Sequence, residues 1–533
     1  MQPVLNVEDV RQVEEALTHV GVSVSELMHR AGSALAHEVL RMGDVKEVAI
    51  LAGLGNNGGD GWVAAEVLMK RGVRVTVVTP VEVDSIHSDL ARVVAQSARK
   101  EGVGVMVAPP RDQLEALFAQ SDVVIDAMLG TGFRGEVRAP FGVWIDTVNS
   151  SGARVVSADV PSGLSAQTGL AAGACVIADV TVTMLVLKPG LLSDAGRDAC
   201  GAIVVAPLAE QTERLAREAD PVAWRPDLED YIEVMEPPSS AVDKFTRGSV
   251  LVVGGSARYP GAAMMAAKAA ARAGAGYVTL AVPAAIAGIV QTHMLEIPVI
   301  GLPSGDDGCF SERARDAVAT LAEKRTVTLV GPGMRVNAAT VSVVSRLLET
   351  EVPLVIDADG LNCLARLTSG KLDDFPELLR RKDPLVLTPH RGELGRLVGL
   401  ADTPPDSLTS QMEAARRIVW ADGGSELCVV AKGSATACVS TEMALLPKPG
   451  PAALATAGSG DVLGGIIAGM MAGSHIGTEG LTLLTALACE VHGQAGAIAS
   501  ERYGSRGVMA GDIIDTIGLA QDAIERQVSY DAE

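Results

Sequence analysis

Two α/β domains, each a mostly parallel sheet between layers of helices, are what this sequence predicts, and three observations carry the prediction. Short Val-rich runs alternate with helical stretches along most of the 533 residues. Gly, Ala and Val are abundant while aromatic residues make up only 3%, which suits buried parallel strands under closely packed helices. The alternation lapses once, around 209–240, in a chain too long for one ordinary core.

Residues 5–43 are predicted helical from the apolar spacing in "VEDVRQVEEAL" and "VSELMHRAGSALAHEVL". Strands follow at "EVAILAG", "RVTVVTP", "DVVIDAM", "RVVSADV" and "DVTVTML", each closed by Gly, Pro or Asp or running straight on into the next element. The segment "AEQTERLAREADPVAWRPDLEDYIEVMEPPSSA" then gains charge and proline and offers no buried strand. It places a connecting segment at 221–240 between a first domain, 1–220, and a second, 241–533. The second alternation runs through "GSVLVVGGS", "GYVTLAVP", "TVTLVGPG", "PLVIDADG", "PLVLTPH" and "LCVVAKG". The glycine motifs of the two halves differ, so they are not an internal repeat.

Charge narrows the function. Lys and Arg number 44 against 65 Asp and Glu, a net charge of −21, which argues against binding a nucleic-acid backbone. A phosphorylated small molecule remains open, since main-chain N–H groups bind phosphate on an acidic protein. The seven cysteines are scattered without Cys-x-x-Cys, so reduced thiols are expected rather than disulfides or zinc. "MQPVLNVEDVRQVEE" turns charged at once, unlike a signal peptide. The uncharged run between Arg272 and Glu296 is interrupted by Gly274, Gly276, Pro283, Gln291 and His293, and reads as strand, turn and helix rather than a membrane span. The expectation is a cytoplasmic enzyme with neither nucleic-acid nor membrane partner.

"AGLGNNGGDG", Ala52 to Gly61, sets Gly53, Gly55 and Gly58 at G-x-G-x-x-G spacing between a strand and a helix. The ribose-binding acid expected about 20 residues on is missing, because the next strand ends at Thr79 and Pro80. Two readings stand: a ligand loop using Asn side chains and bare backbone, or a tight turn with Asp60 as helix N-cap. Asp126, Gly130 and Gly132 follow another strand, and Asp159 and Ser162 a third, so three loops could meet at the carboxyl edge of one sheet.

"GNNGGDGWVAAEVL", "DAMLGTGFRGEVRAP" and "DVPSGLSAQTG", in that order, closely resemble the NAD(P)H-hydrate epimerase domain, the YjeF N-terminal family, over roughly residues 1–220. The resemblance implies a Rossmann-like αβα sandwich that interconverts the R and S epimers of a hydrated nicotinamide ring. It implies that Asn56, Asn57, Gly58, Gly59 and Asp60 contact the hydrated nucleotide, with Gly130, Thr131, Gly132, Phe133, Arg134, Gly135, Glu136 and Asp159. It further implies that Asn57, Asp126 and Ser162 hold a potassium ion, and an all-oxygen set suits a hard cation. Asp159 is the candidate acid/base residue, with ribose binding as its alternative role.

No G-x-x-x-x-G-K-[ST] occurs, so any phosphate is held otherwise. In "AGSGDVLGG", Gly458, Ser459 and Gly460 would present successive N–H groups at a helix start, where the dipole adds partial positive charge. Asp461 follows directly and could take a proton from a hydroxyl while the amides hold a transferring phosphoryl group. The competing reading makes Asp461 a helix-start residue and the glycines a packing device. Strand-end residues Asp357 and Asp359, His390 and Lys432 favour the site, although a lone His or Lys is commonly structural.

The ordered set "VVGGSARYPGAAMMAAKAAARAGAGYVTLAVP", "GPGM", "DADGLN", "TPHRGEL", "KGSAT" and "ATAGSGDVLGGIIAG" resembles the ribokinase-like superfamily. Within it the match is to the ADP/ATP-dependent NAD(P)H-hydrate dehydratases, the YjeF C-terminal family, over roughly 240–525. The resemblance implies a ribokinase-like αβα sandwich in which Lys432, Gly433, Ser434, Ala435, Thr436 and Gly460 contact the nucleotide. Ala262, Gly333, His390 and Asp461 would face the hydrated NADH or NADPH. It implies phosphorylation of the ring hydroxyl by ADP or ATP, with Asp461 as base and Mg2+ on the nucleotide, followed by loss of phosphate. A homo-oligomer is compatible with such a fold. Two rivals stand beside this bifunctional reading: a ribokinase-type small-molecule kinase, and a non-catalytic N-terminal binding module.

Overall fold

The computed structural model describes residues 1–235, 246–371, 381–402, 405–422, 426–474 and 480–531. The fold is α/β, and packing divides it into one unit spanning Gln2–Ala223 and another built from Trp224–Asp406 and Ser410–Glu533. Residues 236–240 of the expected connecting segment lie outside the described residues.

The first unit holds a parallel sheet whose strands lie in the order Gly104–Val107, Arg74–Thr79, Glu47–Ala52, Val123–Ala127, Arg154–Ala158, Val180–Met184 and Ala202–Ala206. Alternation within one strand feeds both faces. Val48, Ile50 and Ala52 enter the core under helices Val24–Arg41, Asn56–Lys70 and Asp89–Lys100, while Ala49 and Leu51 join Leu114, Phe118 and Trp144 on the other side. The chain moves outward from Glu47–Ala52 to one edge, then returns to lay Val123–Ala127 on its other side. Strand order therefore reverses between those two strands, the place where open α/β sheets bind ligands beyond the carboxyl ends.

The second unit repeats the logic. Strands Tyr277–Pro283, Ser249–Val253, Val327–Val330, Leu354–Ile356, Leu385–Leu387 and Leu427–Ala431 are neighbours in that order and all parallel. Their register pairs Val253 with Val330, Val330 with Ile356 and Ile356 with Leu387. The residues after each end, Gly254, Gly331, Asp357 and Thr388, thus line one edge of the sheet. Helices Pro260–Arg272, Ser459–Gly473 and Leu481–Tyr503 cover one face over an apolar core of Val250, Val252, Leu329, Ile466 and Leu487.

Every strand expected from the sequence is present, and edge strands that were not expected join them, Gly104–Val107, Ala202–Ala206 and Val299–Leu302 among them. The stretch read as free of buried strand contains a short one, Ala223–Arg225, with Ala223 buried. Flanked by Pro221 and Pro226, three residues are too few to show a periodicity. The Arg272–Glu296 run divides into strand Tyr277–Pro283 and helix Ala284–Gln291, and no helix among the described residues is long and apolar enough to cross a membrane. All seven cysteines are free thiols.

Candidate active sites

At the reversal of the first sheet the loops after Glu47–Ala52 and Val123–Ala127 touch. Gly53 donates its N–H to the Ala127 carbonyl at 2.9 Å, and a side chain at Gly53 would meet the Met128 carbonyl. Gly55 caps the next helix, so Asp60, its fifth residue, is not the N-cap that a simple turn would need. A cavity of about 550 Å³ opens here, lined by Asn56, Asn57, Asp60, Gly130–Phe133 and Asp159 among others. Gly58 packs on the Gly53 backbone and Gly59 on Met28. Arg134, Gly135 and Glu136 are exposed and outside the lining, with Arg134 donating to the Thr131 and Phe133 carbonyls.

Asp159 stands at φ 65°, a conformation unusual for a residue with a side chain, just past its strand. Its partner is Lys188, fully buried, whose Nζ lies 2.6 Å from Asp159 Oδ1. Lys188 also donates to Thr183 Oγ1 at 2.8 Å and to the Met184 carbonyl at 2.7 Å, so all three ammonium hydrogens have acceptors. The sequence reading missed Lys188, although a lysine in the apolar run "MLVLKPG" was a signal. Two further carboxyls, Asp60 and Glu14, line the same cavity. Burial first, then the Asp159 charge, pushes both above the usual carboxylate range.

Asp126 lies beneath the cavity, fully buried. Its Oδ1 accepts from Ser162 Oγ at 2.6 Å, and its Oδ2 from the Ser162 N–H at 2.8 Å and Ser157 Oγ at 3.0 Å. Burial raises its carboxyl although these bonds pull the other way. Asn57 packs against Gly130, and its Nδ2 is buried without a hydrogen-bond partner.

In the second unit, Lys432 Nζ lies 2.7 Å from Asp357 Oδ1, which also accepts from Thr388 Oγ1 at 2.6 Å. Lys432 is bridged alongside His390, and its N–H donates to the Pro389 carbonyl at 2.8 Å. His390 caps the helix Arg391–Leu397: its Nδ1 accepts from the Gly392 and Glu393 N–H groups, and Glu393 returns a bond to the His390 N–H. Nδ1 must therefore be unprotonated, in keeping with burial and then Lys432 lowering the imidazole.

The helix Ser459–Gly473 starts from Gly458 at φ 90°, a left-handed residue that glycine adopts freely. One expectation is corrected here: the Ser459 N–H donates to the Thr456 carbonyl because the tight entry turn closes on itself. Among the described residues none accepts from the Gly458, Gly460 or Asp461 N–H. A side chain at Gly460 would lie 3.5 Å from Lys432 Nζ, so the ammonium sits beside the free amides. Asp461 is held up to about 7 by burial first, then by Asp357, while Lys432 pulls it down. For Lys432 itself burial works downward, but Asp357, Glu393 and Asp461 prevail and raise it. Behind the turn, Ser459 Oγ lies 3.1 Å from Nε2 of buried His492, a histidine the sequence reading passed over. Ala262 and Gly333 face one another across a contact of strand loop and helix. The loop Gly433–Thr436 follows Lys432 and is closed by Thr436 Oγ1 on the Gly433 carbonyl at 3.1 Å.

A family model described as NAD(P)H-hydrate dehydratase matches residues 250–519, and one described as YjeF-related protein N-terminus matches 24–190. The bifunctional NAD(P)H-hydrate repair enzyme Nnr of Salinibacter ruber is 35% identical over 93% of this chain and 92% of its own length. This chain belongs to that family of bifunctional NAD(P)H-hydrate repair enzymes. Relatives of the same name from Moorella thermoacetica, at 35% identity over 94% of this chain and 93% of theirs, and from Escherichia coli, at 32% over 96% and 92%, agree along the same length. Among solved structures, the ADP/ATP-dependent NAD(P)H-hydrate dehydratase from Bacillus subtilis, co-crystallized with ATP/Mg2+, is 24% identical, covering 56% of this chain and 97% of that one at a TM-score of 0.45. Both halves of a repair enzyme are thus present in this family member, each with a polar loop cluster at the carboxyl edge of its sheet.

Proposed function

We propose that the chain returns hydrated NADH and NADPH to the reduced cofactors, exchanging the R and S epimers in its first unit and dehydrating the S form in its second at the expense of ADP or ATP. The observation that carries the reading is the grouping of Asp461, Lys432 and the unpartnered N–H groups at one helix start. The Gly460 and Asp461 N–H groups and the helix dipole hold the phosphoryl being transferred. Lys432, fixed by Asp357, adds a positive charge beside them, and the loop Gly433–Thr436 takes the nucleotide. The nucleotide phosphates would carry Mg2+ into the site, which would supply neutralising charge there. Asp461 takes the proton of the ring hydroxyl as the phosphoryl group moves to its oxygen. Electrons from the ring nitrogen then expel phosphate to leave an iminium ring, and loss of a proton from the adjacent ring carbon to solvent restores the dihydronicotinamide. His390, with Nδ1 occupied as a cap, carries its proton on Nε2, 3.4 Å from Glu393 Oε1, and would turn it to the hydrated ring, for which Ala262 and Gly333 leave room.

In the first unit Asn56, Asp60 and Gly130–Phe133 receive the hydrated nucleotide and Asp159 handles a proton. Asn57, Asp126 and Ser162 would hold a potassium ion through oxygens alone, the Asn57 amide oxygen, the Asp126 carboxylate and the Ser162 hydroxyl, a donor set that suits a hard cation. Such an ion would hold the two loops together beneath the cavity.

Incubation with hydrated NADH and either ADP or ATP tests the reading. The expected result is recovery of the reduced-nicotinamide absorbance with stoichiometric phosphate, abolished in Asp461→Asn while nucleotide still binds. A stable phosphorylated alcohol would identify a small-molecule kinase instead.

A further inference from the structure

We infer that Asp60 is the proton donor of the first cavity, working opposite the Asp159 carboxylate that Lys188 holds in place. The inference rests on the epimerase reading above and adds a catalytic residue and a positioning residue to it.

Three carboxyls, Glu14, Asp60 and Asp159, line the cavity with two cations, Arg11 and Lys188. Lys188 commits all three hydrogens to Asp159, Thr183 and Met184, so it serves one carboxylate and leaves none for substrate. Asp60 is 8% exposed, and burial with the charges of Asp159 and Glu14, rather than any hydrogen bond, acts on its carboxyl. It is the fifth residue of its helix, past the turn whose free N–H groups could stabilise a carboxylate. A carboxyl so placed favours its neutral form, which can donate, and the neighbouring negative charges of Asp159 and Glu14 act in the same sense. The cavity thus pairs a carboxylate held by an ammonium with a carboxyl whose burial favours its neutral form, the division of labour that acid–base catalysis needs. Glu14 is less enclosed and serves less well as the donor.

Water adds to an enamine at the carbon beside nitrogen, so the hydrated ring carries its hydroxyl there. Asp159 takes the hydroxyl proton, and that O–H electron pair becomes the second carbon–oxygen bond. The carbon–nitrogen pair withdraws onto the ring nitrogen, which receives the proton of Asp60. The opened aldehyde rotates, and the reverse steps close the ring on its other face. Each proton returns to its origin, so the pair is reset at every turnover and no further reactant enters.

The test follows epimer exchange in the full chain without ADP or ATP, so that neither epimer is consumed. Asp60→Asn is expected to lower kcat for exchange about 10²–10⁴-fold with KM changed less than about threefold. Asp60→Glu, which keeps the acid, should retain at least about a tenth of the rate, and Glu14→Gln should lose less than Asp60→Asn. Lys188→Met should lower kcat as Asp159→Asn does, with Lys188→Arg restoring part of it. Near-normal exchange in Asp60→Asn, equal losses in the Asn and Glu variants, or a larger loss in Glu14→Gln would overturn the assignment. A wild-type chain that exchanges no epimers would instead overturn the epimerase reading beneath it.

Discussion

Asp461 shows how neighbours set the chemistry of one side chain. Burial and Asp357 hold its proton to about pH 7, so the basic form that can accept a hydroxyl proton grows as pH rises through that value. The dehydration rate at saturating nucleotide should therefore climb between about pH 6 and 8 and level off above. Glu393, pushed to about 7 mainly by burial, titrates beside it, so the inflection belongs to the cluster. Lys432 lowers Asp461, and Lys432→Met should move the inflection to higher pH; an unmoved profile would remove Lys432 from the site. Stability has the opposite sign. The folded protein holds this proton more tightly than the unfolded chain, so the associated stability is present below about pH 4 and is lost by about pH 7. Denaturation of Asp461→Asn should accordingly lose less stability over that window than wild type.

At the scale of one element, the helix Ser459–Gly473 uses its glycines in two ways. Gly458 and Gly460 shape the entry, whereas Gly465 and Gly469 let the helix lie against Pro260–Arg272: side chains there would collide with the Ala266 and Ala270 carbonyls. Both readings of the glycine-rich run are thus true, of different residues. Backbone cannot yield as a flexible side chain does, so Gly465→Ala should cost about 1–3 kcal/mol despite alanine's better helix propensity. Gly460→Ala, facing only Lys432 Nζ, should fold normally and weaken nucleotide binding; urea melts and nucleotide titrations separate the two. Strands show what a linear pattern conveys. The six parallel strands expected in the second unit are interior and mostly apolar, broken only by Ser249, Thr279 and Thr328. The missed strands Gly104–Val107 and Val299–Leu302 are edges whose residues are mostly half-buried or exposed, and each contains a glycine, which weakens the strand signal.

For the whole molecule, two chemistries on one chain predict separable losses. Asp159→Ala should slow epimer exchange yet leave dehydration of pure S hydrate near wild type, and Asp461→Asn should do the reverse. Each is read by following one epimer, with and without nucleotide. If either variant lost both activities, the assignment of one reaction to each unit would fall.

The sequence by itself determined the two α/β halves, their strand periodicity, the glycine loops and the strand-end acids, because burial and turn geometry impose local patterns on composition. It also held the ordered motifs that mark the family. Only the tertiary structure decided which charges meet: Lys188 with Asp159 across 29 residues, Lys432 with Asp357 across 75, and His492 behind Ser459 across 33. Such pairings follow from sheet order and helix packing, and electrostatics acts through distance in space, which spacing along the chain does not record.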